Sequence, residues 1–285
     1  MRDREKAFIQ ALKASGETYG IGDDGVVLGD FVIASDMFFE GIHFKREWGS
    51  LETLIEKCFC VNCSDIYAMN AIPKYAIINL SFPKDFFMPA SLAQIFAKIA
   101  KKYQIKIIGG DTCVGERLHI SLTLFALRGK KTLWRKGIKK GDWLCTLTPN
   151  TALIPKNQRL GKVKNQLKNG LRYNHTSKQS RFMTPLLLPQ MIFTLNRIAR
   201  AGMDISDGIA LELSRLATLN KIDFKIHLKK GDWFDSPEEY QMLYAFSPKL
   251  IKKAQNLARK YRHKLIIFGR AKRGIYKTKQ RNHHS

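Results

Sequence analysis

Apolar residues recur every three or four positions through residues 4–15 (REKAFIQALKAS), roughly 50–70 and 90–103. That spacing predicts three amphipathic helices, the first stopping at Gly16. Between them the period shortens. Residues 25–36 (GVVLGDFVIASD) read as two strands joined by a Gly-Asp turn, and strands follow at YAIINLSF (75–82), IKIIGG (105–110) and LHISLTLFAL (118–127). The order α-β-β-α-β-α-β-β is that of an α+β protein with a mixed sheet. A turn-like basic stretch, RKGIKKGDW (135–143), is the best boundary, dividing the chain into 1–138 and 139–285. Beyond it come a poorly patterned basic segment (150–182), helices near 184–200, 207–220 and 247–262, and strands at 223–228 and 264–269. A basic tail ends the chain.

Composition narrows this picture. With 285 residues and 45% hydrophobic residues, real cores are possible and wholesale disorder is excluded. No window is long and apolar enough to predict a membrane span, and the first residues lack the apolar core of a secretory signal, so a cytoplasmic protein is expected. Cys58, Cys60 and Cys63 are scattered around one helix, and no second ligand pair for zinc accompanies them, so they read as buried thiols. The charge of +25 attracts polyanions. No nucleic-acid-binding motif goes with it, and the basic clusters at 128–140, 156–181 and 249–273 read as solvated faces. A phosphate-rich small substrate suits the same charge.

Against that basic background, acids gather. Seven of the chain's fourteen aspartates (Asp23, Asp24, Asp36, Asp65, Asp111, Asp204 and Asp207) stand in five short stretches: GIGDDG, ASDM, NCSDIYAM, IIGGDT and MDISDG. Three of these abut strand-like runs, where a carboxylate can point into a shared cleft. Converging carboxylates repel unless a cation neutralises them, and Mg²⁺ commonly bridges such groups to substrate phosphates. The plainer reading of MDISDG makes Ser206 an N-cap and Asp207 a first-turn acid for the helix with Ile209, Leu213 and Leu216 on its apolar face. From the residues alone, cap and metal site both stay open. Gly20-x-Gly22-x-x-Gly25 matches a dinucleotide fingerprint but follows a helix rather than a strand, and P-loop and protein-kinase motifs are absent. Tyr103, beside the GGDT strand, is a candidate to stack on adenine. Phe38, Phe39 and Phe44 read as core.

In order along the chain, GIGDDGVVL (20–28), SDMFFEGIHF (35–44), FCVNCSDIYAMNA (59–71), IIGGDT (107–112), RKGIKKGD (135–142), MDISDGI (203–209) and SPEEYQM (236–242) resemble the successive signatures of the thiamine-monophosphate kinase family. That family belongs to the aminoimidazole-ribonucleotide synthetase-like (PurM-like) ATP-binding superfamily. The resemblance implies a two-domain α+β fold. Its N-terminal mixed sheet would bind Mg-ATP and form a homodimer interface, and a C-terminal α/β sandwich domain would complete the site. It implies MgATP-dependent conversion of thiamine monophosphate to thiamine diphosphate. Carried over by position, Asp24, Asp36, Asp65, Asp111, Asp204 and Asp207 are implied Mg²⁺ ligands. Ala34 and Ser35 would assist through backbone or hydroxyl oxygens. Gly110, Asp111, Arg135 and Ser206 are implied nucleotide contacts; His43, Glu238 and Tyr276 fall on the thiamine-phosphate side. Asp65 and Asp207 are the implied metal-holding essentials, and no general base is implied. The chain departs from the pattern at Ser236-Pro237, which replaces a double glycine, at Glu239, where Asp is usual, and at Met37, where a threonine is. A sister ATP-dependent enzyme of the superfamily, or a basic nucleic-acid-binding protein whose acidic motifs are relics, would be the alternatives.

Overall fold

The computed structural model describes residues 4–85, 88–149 and 181–276. The first half of the chain follows the predicted order. Helix α1 (Arg4–Ala14) leads to β1 (Val26–Leu28) and β2 (Phe31–Phe39), which pair as a hairpin across Gly29-Asp30. Helix α2 (Leu51–Ala68) starts at Ser50, whose Oγ accepts from the Thr53 amide as an N-cap. Then come β3 (Ala71–Pro83), α3 (Pro89–Lys102), β4 (Lys106–Gly115) and β5 (His119–Arg128). These strands form a five-stranded sheet in the order β1-β2-β5-β3-β4. Only the β3–β4 pair is parallel, so the sheet is mixed. Alternate residues of β2 and β5 (Val32, Ala34, Phe38; Ile120, Leu122, Leu124) turn inward, and α2 packs on that face.

The second sheet departs further from expectation. It has five strands in the order β7-β9-β6-β10-β8, all antiparallel. Three of them were not predicted: β6 (Trp143–Pro149), β7 (Ala201–Asp204) and β9 (Met242–Phe246). Residues of β7 and β9 are buried without exception, so neither shows the alternation that marks a half-exposed strand. The remaining strands are β8 (Asp223–Ile226) and β10 (His263–Lys272). The helices are α4 (Pro189–Asn196), α5 (Ile209–Asn220), the single turn α6 (Asp232–Asp235) and α7 (Ile251–Lys260). Helix α4 is shorter than the predicted 184–200 because Pro189 fixes its first turn. Most of the 150–182 segment lies outside the described residues.

The connection from Gly129 to Asp142 joins the sheets, yet the cores do not divide there. Phe59, Ile66 and Ala68 of the first half share one buried cluster with Cys145, Leu195 and Tyr244 of the second. Helix α2 is the centre of that shared core. A second cluster, on the other face of the C-terminal sheet, packs α5 (Ile209, Leu213, Leu216) over Met203, Leu243 and Phe268.

Candidate active site

Four elements converge at one end of α2. The loop after α1 brings Asp24, the last turns of α2 bring Asp65, the end of β7 brings Asp204, and β2 brings Asp36. Carboxylate oxygens of Asp24, Asp65 and Asp204 all lie within 4.8 Å of one another. At an effective dielectric constant of about 20, two unit charges that close repel by roughly 3 kcal/mol. Burial, the larger effect, and neighbouring carboxylates together lift Asp65 and Asp204 well above the ordinary carboxyl range. Asp36 is raised by burial and by Asp24, although a bond to Asp65 works the other way. Its Oδ2 is buried with no hydrogen-bond donor. Ser64, beside Asp65 on α2, donates from Oγ to Asp204 Oδ2 at 2.8 Å.

Arg135 is the cation nearest at hand. Its Nε donates to Asp24 Oδ1 at 3.0 Å, a second guanidinium nitrogen pairs with the same oxygen, and its amide donates to Asp23 Oδ1 at 2.6 Å. The glycine-rich 20–25 loop therefore faces the 135 turn. Burial outweighs this ion pair at Asp24, which stays raised. With Arg215 acting on Asp24 from farther off, the carboxylates still outnumber the guanidinium groups.

MDISDG resolves into two parts. Asp204 closes β7 and faces the cluster. Ser206 and Asp207, however, do not cap the helix: its N-cap is Gly208, at φ +96°, where a Cβ would meet Asp235 and Ser236 backbone atoms at 3.1–3.2 Å. Glu212 takes the capping part instead, reaching back so that Oε1 accepts from the Asp207 amide at 3.1 Å and from Ser206 Oγ at 3.2 Å. Arg215 clasps both Glu212 oxygens at 2.9 Å and Asp207 Oδ2 at 2.6 Å. Asp207, an expected metal ligand, is thus ion-paired and is not one of the three converging carboxylates.

The other expected positions are dispersed. Ser35 turns to the face of β2 opposite Asp36 and bonds Thr123 Oγ1 at 2.8 Å; Ala34 is buried. Beyond Ile33, β1 no longer pairs with β2. Gly110 and Asp111 belong to β4, separated from β2 by two strands, or roughly 14 Å at ordinary strand spacing. The Asp111 amide donates to Asn79 Oδ1. His43 Nδ1 accepts from the Phe39 amide at 2.9 Å, which puts the proton of the neutral ring on Nε2. Phe38 and Phe44 stack in the core at 4.6 Å between ring centroids. Tyr103 caps α3 and packs on Phe59, with its hydroxyl against Cys60. That places it in a separate cavity of about 460 Å³ lined also by Tyr67, Pro185 and Phe193. Tyr276 packs on Phe224, and burial pushes its phenol up to about 12. Glu238 pairs with Lys57 of α2. Sequence reading missed Lys57, Ser64, Glu212, Arg215 and Tyr240. The usable signals were a lone lysine in the apolar stretch LIEKCFC and the i,i+3 pair Glu212–Arg215.

Residues 22–127 match the family model described as AIR synthase related protein, N-terminal domain. A thiamine-monophosphate kinase from Buchnera aphidicola subsp. Schizaphis graminum is 31% identical over 265 residues, covering 85% of this chain and 80% of that protein. Another, from Leptospira interrogans serogroup Icterohaemorrhagiae serovar Lai, is 28% identical over 237 residues, covering 75% and 74%. The structure of AaThiL complexed with AMPPCP and TMP superposes with a TM-score of 0.77 at 22% identity, covering 99% of this chain and 98% of that one. The α+β fold is the one such proteins share.

Proposed function

Because the chain belongs to the thiamine-monophosphate kinase family, we propose that it catalyses the ATP-dependent phosphorylation of thiamine monophosphate to thiamine diphosphate. The observation that carries this reading on the chain itself is the meeting of Asp24, Asp65 and Asp204, with a buried, unpartnered oxygen of Asp36 beside them. An all-oxygen, anionic, crowded donor set fits Mg²⁺. Asp24, Asp65 and Asp204 would hold it, and Asp36 would complete the rim. When bound, the ion supplies the charge neutralisation that lets two phosphate groups approach.

The rest is positioning by the chain's own groups. The acceptor is a phosphate monoester, already anionic near neutral pH, so no side chain need remove a proton from it. Its oxygen forms the new bond to the γ-phosphorus while the bond to the β–γ bridging oxygen breaks, and ADP leaves with that electron pair. Alignment and electrostatics are what remain for the protein to provide. By the family resemblance, Arg135, held against Asp24, and Ser206 would meet the nucleotide phosphates, whereas Gly110 and Asp111 stand apart from the cluster on the edge strand β4. His43, Glu238 and Tyr276 are assigned to the thiamine side. Asp207, clasped by Arg215, would join the metal rim from the nucleotide side.

The same reading makes the protein a homodimer built through the N-terminal sheets. In support, β4 is an edge strand exposed along nearly its whole length, with Ile107, Ile108 and Val114 open to solvent. All five cysteines are free thiols, as suits the reducing cytoplasm where we place the reaction. No helix among the described residues is long and apolar enough to cross a membrane.

Purified protein given thiamine monophosphate and Mg²⁺-ATP should release thiamine diphosphate and ADP. Asp65→Asn should lower kcat by about a hundredfold or more with an unchanged circular dichroism spectrum. A wild-type protein that makes no thiamine diphosphate, or an Asp65→Asn variant at full rate, would sink the reading.

A further inference from the structure

Lys57 stands midway along α2 and is as buried as Leu54, both 1% exposed. An ammonium group taken out of water is costly unless an anion meets it in good geometry. Its partners come from distant parts of the chain. Nζ donates to Glu238 Oε2 at 2.5 Å and lies 3.1 Å from the centroid of the Phe182 ring. Glu238 belongs to no regular element. It has φ +53°, and Tyr240 has φ +46°. Non-glycine residues hold that left-handed conformation only where their surroundings over-determine it. Here the Glu238 amide donates to the Ser206 carbonyl at 2.6 Å, and the Tyr240 amide donates to the Ile205 carbonyl at 2.9 Å. Arg181 pairs with the Glu239 carboxylate, both side chains buried.

These bonds close a ring. Ser64 lies seven residues after Lys57, two helical turns and about 10 Å along the same face of α2. Ser64 binds Asp204; two residues beyond Asp204, the Ser206 carbonyl binds the Glu238 amide; the Glu238 carboxylate returns to Lys57. One helix thereby fixes two things at once: the carboxylate cluster, through Ser64 and Asp65, and the 236–241 loop, through Lys57. The Tyr240 phenol, buried in that loop, is near enough to feel the charge of Glu238, Asp36, Asp204 and Asp65.

We propose that Lys57 is a positioning residue for the phosphate-accepting substrate. Its ion pair with Glu238 sets the 236–241 loop, and with it the Glu238 carboxylate and the Tyr240 phenol, at a fixed place relative to Asp24, Asp65 and Asp204. The substrate named in this inference rests on the kinase reading above; the clamp itself rests on the ring of bonds. Lys57 touches no reacting atom and acts through Glu238.

Lys57→Met, Lys57→Arg and the double variant Lys57→Met/Glu238→Met test this. The double variant leaves no unpaired buried charge, so it keeps the fold if the single variant does not. Steady-state kinetics should show KM for thiamine monophosphate raised about tenfold or more in Lys57→Met and in the double variant, with KM for ATP within about twofold of wild type. Lys57→Arg should recover most of the loss. Hydrogen exchange should be faster at the Glu238 and Tyr240 amides in both Met variants, with α2 protected as in wild type. Equal changes in both KM values, a fall in kcat alone, or a double variant with wild-type KM would overturn the inference. A wild-type protein inactive on thiamine monophosphate would instead overturn the kinase reading. Exchange would then decide the clamp: unchanged rates at 238 and 240 would refute it, and faster rates would uphold it.

Discussion

Asp65 and Asp204 are acids held under conditions that favour their neutral form, and this makes the protein's stability depend on pH in a definite sense. Their folded pKa values lie well above the ordinary 3.8, through burial first and neighbouring carboxylates second. A carboxyl raised in this way contributes stability that is fully present below 3.8 and is lost as pH rises through the raised value. Without divalent ions, the melting temperature should therefore fall as pH is raised from about 5 to about 8. On the proposed reading, Mg²⁺ would bind the ionised form. At a hundredfold excess over its Kd it should return about 2.7 kcal/mol near pH 8, and much less near pH 5, where protons compete. Calorimetric scans at the two pH values with and without Mg²⁺ measure this; an Mg²⁺ effect equal at both, or absent, would contradict the cluster's role. In Asp204→Asn the pH slope should shrink.

At the scale of elements, Gly110 is a position that the fold itself requires. At φ +153° its absent Cβ would lie 1.7 Å from the Ile78 carbonyl oxygen, so β4 can pair with β3 only through glycine. Gly110→Ala should lower the melting temperature and speed amide exchange across 106–115, whether or not nucleotide is present. Much of the first sheet was legible because β2 and β5 alternate cleanly between buried and exposed positions, and because Ser50 and an apolar period mark α2. The second sheet was not. β7 and β9 are short and buried throughout, so period-2 patterning has nothing to act on. The site divides along the same line. Asp24, Asp36, Asp65 and Asp204 stood out as acids in a basic chain, whereas Lys57 and Glu238 are 181 residues apart and only the folded backbone brings them together. Glu212 was not legible because Ser206 offered an equally good cap, whereas the folded helix has Gly208 at that place.

For the molecule as a whole, the exposed edge of β4 is where the proposed dimer can be tested. Ile108 is 57% exposed and Val114 70%. If two copies meet along this sheet, Ile108→Asp/Val114→Asp should shift light-scattering mass from dimer to monomer while the monomer's circular dichroism is kept. A wild-type protein that runs as a monomer at micromolar concentration would reject the dimer. The C-terminal sheet carries a different consequence, one that concerns the order of synthesis. Its middle strand, β6, pairs on one side with Met242–Phe246 of β9 and on the other with β10, where His263 meets Pro149. On the ribosome, β6 emerges long before either neighbour, while the N-terminal sheet already has all its strands. The nascent chain must therefore carry a strand with two open edges until residues 242–272 are made. Asp204, on β7 beyond β9, has no sheet to lie in before that point. The three carboxylates of the acid cluster can therefore meet only after β9 has been made, late in synthesis.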